Sequence, residues 1–351
     1  MQTLTHGGDW MGYRERFGHD ALDFSANVSP LGLPEGVANA IMAALPAADR
    51  YPDPLCRTLR AALETAEGVP APHILCGNGA ADLIFRLVMA AQPRQALVLA
   101  PTFAEYAAAL ETVHCSVKRY YLSEENDFAV TDDLLASIDE ELEMVFLCQP
   151  NNPTGQLMDL NLVRRIAEKC AACGIRLVVD ECFLDFLPDC EALTAKPLLE
   201  AYPNIVILKA FTKLYGMAGV RLGYCFSADE ALLARMQSAG QPWAVSGLAQ
   251  AAGVAALRET AYVARVRALI ADQRPKLAGA LRALGLRVIE GRANYLLFQG
   301  PADLGERLRP RGVVLRSCAN YPGLDGSWYR TAVRTAPENA KLFETLREVL
   351  L

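Results

Sequence analysis

Residues 205–224 read IVILKAFTKLYGMAGVRLGY. The first part of this run is apolar and rich in β-branched residues, which predicts a buried strand over residues 205–209. Lys213 follows the strand, a Gly-rich loop comes next, and Arg221 stands eight residues after the lysine. Because open α/β sheets bind ligands at the carboxyl ends of their strands, we expect this amine and this guanidinium to belong to a ligand site.

Two further motifs stand upstream of this stretch. Residues 151–155 read Asn-Asn-Pro-Thr-Gly, and residues 178–181 read Val-Val-Asp-Glu at the end of another apolar run. Taken singly, the first is compatible with a simple turn, and the second is an ordinary strand end in an α/β protein. An asparagine and an aspartate that precede the lysine and the arginine in this order indicate a shared function.

These side chains supply the groups that hold pyridoxal 5′-phosphate (PLP). Lys213 provides the amine that forms a Schiff base with PLP. Asp180 provides a carboxylate that keeps the ring nitrogen of PLP protonated, so that the ring can accept electrons. Asn152 provides a side-chain amide that donates to the phenolic oxygen of the ring. We therefore predict Lys213 and Asp180 as the catalytic residues of a PLP enzyme.

The phosphate of PLP needs a cation and backbone N–H groups. Arg221 provides the cation, and a strand-to-helix turn near residue 79 provides the N–H groups. We expect the phosphate to lie at the start of that helix, against Gly79, Ala80 and Ala81. A dinucleotide-binding fingerprint is excluded in this turn, because Asp82 stands where its third glycine is required.

The middle of the chain alternates strands and helices, which indicates an α/β fold with a mostly parallel sheet wrapped by helices. The predicted strands are residues 74–76, 96–100, 144–148, 176–180, 205–209 and 222–226, and the predicted helices are residues 80–91, 159–173 and 231–237. A long helical region over residues 246–284 follows. Strands at residues 294–299, 313–317 and 328–333 and a final helix then predict a second, smaller α/β lobe.

The residues quoted above, in their order and spacing, resemble the fold-type-I family of PLP enzymes, which includes the aminotransferases, over almost the whole chain. The resemblance implies a large PLP-binding domain over residues 36–242 and a small C-terminal domain over residues 243–351. Residues 1–35 would form an N-terminal arm and part of the small lobe. The resemblance also implies that Phe103 stacks on the cofactor ring. Tyr51 would reach the cofactor phosphate of the neighbouring subunit, which implies a homodimer.

Composition narrows the possible partners. The 351 residues are 52% hydrophobic and 21% charged, as expected of a globular protein with a large core. The net charge of −6 and the lack of a Lys/Arg block argue against a nucleic-acid partner. We find no signal-peptide pattern and no apolar run of the ~18 residues that a membrane span needs, and we predict a cytoplasmic protein.

The ten cysteines are scattered along the chain. In a reducing compartment they are most simply small core residues. The one CxxC motif, Cys170 to Cys173, has no second pair nearby. We therefore expect no bound metal.

Within the family, the sequence is most similar to two groups, the histidinol-phosphate aminotransferases and the L-threonine-O-3-phosphate decarboxylases of cobalamin synthesis. Four stretches resemble the decarboxylases. They are the opening His6-Gly-Gly-Asp, the run Asn27-Val-Ser-Pro-Leu-Gly, the run Arg316-Ser-Cys-Ala-Asn-Tyr-Pro-Gly-Leu, and the run Arg330-Thr-Ala-Val-Arg334. The resemblance implies a set of substrate ligands: His6, Asn27, Asn152, Arg316, Arg330 and Arg334.

The expected reaction is decarboxylation of L-threonine O-3-phosphate, a small phosphorylated amino acid, to (R)-1-amino-2-propanol O-2-phosphate and CO₂. Arginine suits this substrate because its planar guanidinium binds carboxylate and phosphate through paired hydrogen bonds. The alternative is a histidinol-phosphate-type aminotransferase that uses 2-oxoglutarate or glutamate. The motifs do not separate phosphothreonine from phosphoserine, which differ by one methyl group.

Two positions depart from the pattern of many relatives. Ala210 stands where many relatives carry a serine that contacts the cofactor phosphate, and Thr212 or the backbone at the helix start would compensate. Phe183 stands where many aminotransferases carry a tyrosine that donates to the ring oxygen. The second departure leaves Asn152 as the predicted donor to that oxygen.

Overall fold

The structure is a computed structural model that describes residues 6–351. Its strands, β1 to β13, are Leu22–Asp23, Ile74–Gly77, Gln95–Ala100, Ser116–Tyr121, Met144–Cys148, Arg176–Asp180, Ile205–Ala210, Gly223–Phe226, Arg287–Val288, Tyr295–Gln299, Val313–Val314, Arg316–Ser317 and Trp328–Ala332. Its α-helices, α1 to α13, are Trp10–Phe17, Glu35–Ala44, Arg57–Glu67, Gly79–Ala91, Glu105–Glu111, Leu160–Ala172, Cys190–Leu193, Phe211–Leu214, Glu230–Ala239, Gly247–Ala256, Thr260–Ala283, Leu304–Leu308 and Ala336–Leu350. Short 3₁₀ helices lie at Leu45–Ala47, Ala71–His73, Glu124–Asn126, Asp132–Ser137, Leu184–Phe186, Lys196–Leu198 and Arg309–Arg311.

The larger sheet has the strand order β2-β8-β7-β6-β5-β3-β4. Strands β4, β3, β5, β6 and β7 run parallel to one another, which confirms the predicted mostly parallel sheet. Its central strands β5 and β7 are buried along their whole length, since helices cover both faces. This burial explains why they are continuous apolar runs rather than alternating ones.

Strand β8 is the exception, because it runs antiparallel to both of its neighbours, β7 and β2. The chain between β7 and β8 contains one short helix, α8, and then turns back. A parallel return would need a longer crossover connection. The edge strand β4 was not predicted, because its half-exposed sequence, SVKRYY, lacks a continuous apolar run.

The smaller sheet has the order β12-β13-β10-β9 and is antiparallel. Strand β1, near the N-terminus, pairs in parallel with β11 of the C-terminal lobe. The long helical region predicted over residues 246–284 is two helices. Helix α10 packs against α2 and α3, whereas α11 buries Tyr262, Val266 and Ile270 in the core around the smaller sheet. The predicted helical region is interrupted between Ala256 and Thr260, because the two helices pack against different cores.

The fold brings the predicted site residues to one edge of the larger sheet. The last residues of β5 and β6, Cys148 and Asp180, are direct neighbours in the sheet, and Asp180 pairs with Leu208 of β7. Asn152 follows β5 and Lys213 follows β7, so both lie beyond the same edge as Asp180. Among residues 6–351, we find no helix long and apolar enough to cross a membrane.

Candidate active site

Lys213 lies in helix α8, directly after strand β7. Its side chain is half-buried, and its Nζ atom lies 5.7 Å from the centre of the Phe183 ring. Burial lowers the pKa of Lys213 below the ordinary value for lysine. A lysine with a lowered pKa reaches the neutral, nucleophilic form more readily, as Schiff-base formation requires.

Asp180 is the last residue of β6 and is almost fully buried. Its Oδ2 atom accepts a hydrogen bond of 2.6 Å from the hydroxyl of Tyr106, and its Oδ1 atom accepts one of 2.9 Å from the backbone N–H of Cys182. These two donors hold the carboxylate in one orientation. The site therefore presents a fixed carboxylate near Lys213.

Asn27, Asn152 and Arg330 come together although they lie far apart in the sequence. Arg330 donates to Oδ1 of Asn152 and, at 2.9 Å, to the carbonyl oxygen of Ser25. When the amide oxygen of Asn27 faces Arg330, it accepts hydrogen bonds of 3.0 and 3.2 Å from Nε and Nη1. The arginine thereby orients both amides, and the NH₂ group of Asn152 is left to donate elsewhere.

The start of helix α4 and Arg221 form the predicted phosphate cradle. Gly79 is the first residue of the helix and has a φ of +80°, which favours glycine. A Cβ atom at Gly79 would lie only 2.7 Å from Nη2 of Arg221, so the guanidinium lies directly on this backbone. The side chain of Asn78, the N-cap residue, makes no capping bond to the described helix. An uncapped helix start beside an exposed arginine suits a phosphate group.

Phe103 and His6 lie next to each other near the loop after β3. The two rings are 5.8 Å apart, and Nε2 of His6 lies 2.5 Å from Oε1 of Glu105. The Phe103 ring also meets the Tyr106 ring edge-on at 5.5 Å. The N-terminal arm therefore reaches the part of the site where Phe103 is predicted to stack on the cofactor. Substrate contact by His6 stays a prediction.

Arg316 lies directly opposite Arg330 in the β12–β13 pair. Its guanidinium donates to Oδ1 of Asn320 at 2.7 Å and lies 5.3 Å from the centre of the Tyr321 ring. Both arginines are buried, at 9% and 6% exposure. Cross-strand partners have closely spaced Cβ atoms, so two cations stand side by side at this end of the smaller sheet.

Arg334 has a different environment. Its guanidinium pairs with Glu338 through hydrogen bonds of 2.8 and 2.6 Å and donates to the carbonyl oxygen of Asp23 at 3.1 Å. Glu338 also closes the capping box of α13 with Thr335. These contacts balance the charge of Arg334 and connect β1 to α13. Its predicted role as a substrate ligand stays a prediction.

Four further predicted cofactor residues have clear positions. Thr212 is buried beside Lys213 in α8, and Ala80 and Ala81 follow Gly79 in the first turn of α4. Tyr51 is 80% exposed and stacks on Trp243 with 4.5 Å between the ring centres. Its predicted contact with the neighbouring subunit stays a prediction.

Residues that the sequence did not single out complete the site. The hydroxyl of Tyr106 donates a hydrogen bond to Asp180. The Cζ atom of Arg330 lies 5.4 Å from the centre of the Tyr295 ring. The hydroxyl of Tyr295 donates to the carbonyl oxygen of Asn151 at 2.8 Å. The Phe183 ring meets the Tyr295 ring edge-on at 5.1 Å. Tyr106 follows Phe103 by three residues, in the turn that leads into α5, and this closeness in the sequence was the available signal.

Comparison with known proteins agrees with this geometry. The family model for "Aminotransferase class I and II" matches residues 19–346. The chain belongs to this family. It is 40% identical to the threonine-phosphate decarboxylase of Salmonella typhimurium (strain LT2) over 94% of this chain and 91% of that protein. It is 34% identical to the histidinol-phosphate aminotransferase of Symbiobacterium thermophilum over 95% of this chain and 91% of that protein.

A solved structure has the same fold. The histidinol-phosphate aminotransferase from Clostridium acetobutylicum superposes with a TM-score of 0.87 and 26% identity, over 93% of this chain and 98% of that one. The fold predicted from the sequence, PLP fold type I, is thus confirmed.

PLP is the cofactor of this enzyme, and the residues present suit it. Lys213 would supply the amine, Asp180 the carboxylate for the ring nitrogen, and the start of α4 with Arg221 the phosphate cradle. The start of α4 has no side-chain capping bond, so its first backbone N–H groups need an acceptor. The phosphate of PLP would be such an acceptor. The prediction of a PLP enzyme is confirmed.

Proposed function

We propose that this enzyme decarboxylates L-threonine O-3-phosphate to (R)-1-amino-2-propanol O-2-phosphate and CO₂, which would supply the aminopropanol linker in cobalamin synthesis. The pairing of Arg316 with Arg330 carries the proposal. The substrate bears a carboxylate and a phosphate on a short carbon skeleton. Two guanidinium groups on directly opposite residues suit two anions that lie this close together.

In this proposal Arg330 binds the substrate carboxylate and Arg316 binds the substrate phosphate. Arg330 is already oriented by Asn152, Asn27 and the carbonyl of Ser25, so little side-chain freedom is lost on binding. His6 adds a donor from the N-terminal arm once the phosphate replaces the carboxylate of Glu105 as its partner. The NH₂ group of Asn27 faces away from Arg330 and supplies a further donor.

When bound, PLP supplies an electron sink for the bond that breaks at the substrate Cα. The paired arginines hold both anions and thereby fix rotation about the bond between Cα and its nitrogen. This rotation decides whether the carboxylate or the hydrogen of Cα stands perpendicular to the ring, where cleavage is favoured. After CO₂ leaves, Nζ of Lys213 gives its proton to Cα, which its lowered pKa facilitates.

The relatives support this reading and also define the alternative. The relative that is 40% identical is named a threonine-phosphate decarboxylase, whereas one that is 34% identical is named a histidinol-phosphate aminotransferase. An aminotransferase needs a keto acid as second substrate, and a decarboxylase does not. We further propose that the enzyme is a cytoplasmic homodimer in which Tyr51 reaches the partner's cofactor.

The test is a product assay on purified, PLP-loaded protein with L-threonine O-3-phosphate and no keto acid. We expect CO₂ and the aminopropanol phosphate in equal amounts, and complete loss of both in Lys213→Ala. A lack of CO₂, together with amino transfer from histidinol phosphate when 2-oxoglutarate is added, would establish the aminotransferase instead. L-Serine O-phosphate in the same assay measures how far the substrate methyl group contributes, an effect of about ten- to a hundredfold for one methyl.

A further inference from the structure

Tyr106 lies behind the proposed position of the cofactor ring and is completely buried in α5. Its ring stacks on Phe146, with 4.8 Å between the ring centres, and meets Phe103 edge-on. These contacts fix the ring so that its hydroxyl lies 2.6 Å from Oδ2 of Asp180. Burial and the charge of Asp180 raise the pKa of Tyr106 well above its ordinary value, so this hydroxyl remains a donor at any physiological pH.

Asp180 is the carboxylate that we propose for the ring nitrogen of PLP. The titratable groups around it come from four elements and the turn after β6: Tyr106, Cys148, Cys182, Lys213 and Tyr295. Burial raises the pKa of the Cys148 and Cys182 thiols and of Tyr295. These three groups therefore stay neutral, and the carboxylate accepts hydrogen bonds from the Tyr106 hydroxyl and the Cys182 backbone.

We propose that Tyr106 is a positioning residue for the cofactor. Its hydroxyl keeps the Asp180 carboxylate in place and anionic. The proton between Asp180 and the PLP nitrogen then resides on the nitrogen. A donor bond stabilises a carboxylate in its charged form and makes it a weaker base. Without this bond, Asp180 would draw the proton away from the ring, and the ring would accept electrons less well. The inference rests on PLP binding and not on which reaction the enzyme performs.

Tyr106→Phe is the direct test, because it removes the hydroxyl and keeps the ring contacts with Phe146 and Phe103. The readout is the visible absorption of bound PLP as a function of pH, which reports the proton on the nitrogen that links Lys213 to the cofactor. A positive ring nitrogen repels that proton. We expect the midpoint of this titration to move to higher pH by about one unit in the variant. We also expect the Kd of PLP to rise about tenfold or more, as for loss of a hydrogen bond to a charged group.

Tyr329→Phe is the matched control, because it removes a tyrosine hydroxyl that bonds the carbonyl oxygen of Ala302 at 2.7 Å in the smaller lobe. This control should leave both the titration midpoint and the Kd of PLP unchanged. An unchanged midpoint in Tyr106→Phe, or an equal shift in Tyr329→Phe, would overturn the proposal.

A double-mutant cycle with Asp180→Asn separates an effect on the carboxylate from a general loss of packing. In the Asp180→Asn background there is no charged carboxylate to stabilise. We therefore expect Tyr106→Phe to have little further effect on the Kd of PLP in that background. Equal effects of Tyr106→Phe in both backgrounds would show that the tyrosine acts only through packing.

Discussion

At the scale of single residues, the two adjacent acids at the end of β6 have opposite environments. Asp180 lies near Lys213 and accepts hydrogen bonds from the Tyr106 hydroxyl and the Cys182 backbone N–H. Glu181 points to the other side of the strand and is fully buried, where it accepts hydrogen bonds of 2.7 Å from both the Thr194 hydroxyl and the Ala195 N–H. Burial raises the pKa of Glu181 to about 7, so the second acid contributes to stability through its protonated form.

We expect stability to depend on the proton of Glu181. The pKa is 4.5 for the free side chain and about 7 in the fold, so the folded state binds the proton more tightly. The free energy of unfolding should therefore fall as pH rises through this window, by about 3 kcal/mol. Glu181→Gln retains the size and both bonding partners but cannot titrate, and it should lack this fall. Urea unfolding of the wild type and of Glu181→Gln, at pH values from 4.5 to about 7, measures this difference in the free energy of unfolding. The same pH dependence in both proteins would contradict the role of Glu181.

At the scale of secondary-structure elements, the phosphate cradle depends on close contact between strand β8 and the start of α4. A Cβ atom on Gly223 would lie 2.5 Å from the backbone nitrogen of Ala80 and 2.7 Å from the carbonyl carbon of Gly79. Backbone packed this closely leaves room only for glycine. The strand therefore sets the position of the helix N–H groups that we propose bind the cofactor phosphate.

Gly223→Ala should push the start of α4 away from β8 and from Arg221. We expect the Kd of PLP to rise at least tenfold, since the phosphate loses aligned N–H donors. Gly279→Ala is the matched control, because a Cβ atom there meets open space on the surface of α11. The control should leave the Kd unchanged and stabilise the protein by about 0.5–1 kcal/mol, as alanine does in a helix. Equal PLP affinities in the two variants would refute the role of Gly223.

At the scale of the whole molecule, the exposed Tyr51 is the feature that a single chain does not explain. Tyr51 is 80% exposed, and its ring is held by stacking on Trp243, so its hydroxyl faces solvent in an ordered position. Exposed apolar side chains accompany it on the preceding segment, at Met42 and Leu45. Such a surface is typical of a subunit interface, and it supports the proposed homodimer.

Mixed dimers test this arrangement. One subunit carries Lys213→Ala and the other carries Tyr51→Phe, and each homodimer serves as a control. If Tyr51 acts across the interface, one of the two sites in the mixed dimer has an intact Lys213 and an intact Tyr51 from the partner. That site should bind PLP with wild-type affinity and turn over at the wild-type rate. If Tyr51 acts within its own chain, no site is intact, and every site in the mixed dimer remains impaired.

Local patterns were enough to predict the class of fold and the cofactor. Lys213, Asp180 and Asn152 follow buried strands, and Gly79 begins a helix, so short stretches of sequence already place them at one sheet edge. The edge strand β4 and the break between α10 and α11 were missed, since neither has a strong local signal.

The partnerships within the site depend on tertiary packing. Tyr106 and Asp180 are 74 residues apart, and Arg330 and Asn152 are 178 apart. Arg334 carries the same charge as Arg330, and only the fold shows that its guanidinium reaches the carbonyl oxygen of Asp23, 311 residues away. No period or motif encodes such contacts, because they arise where separate elements meet in the folded core.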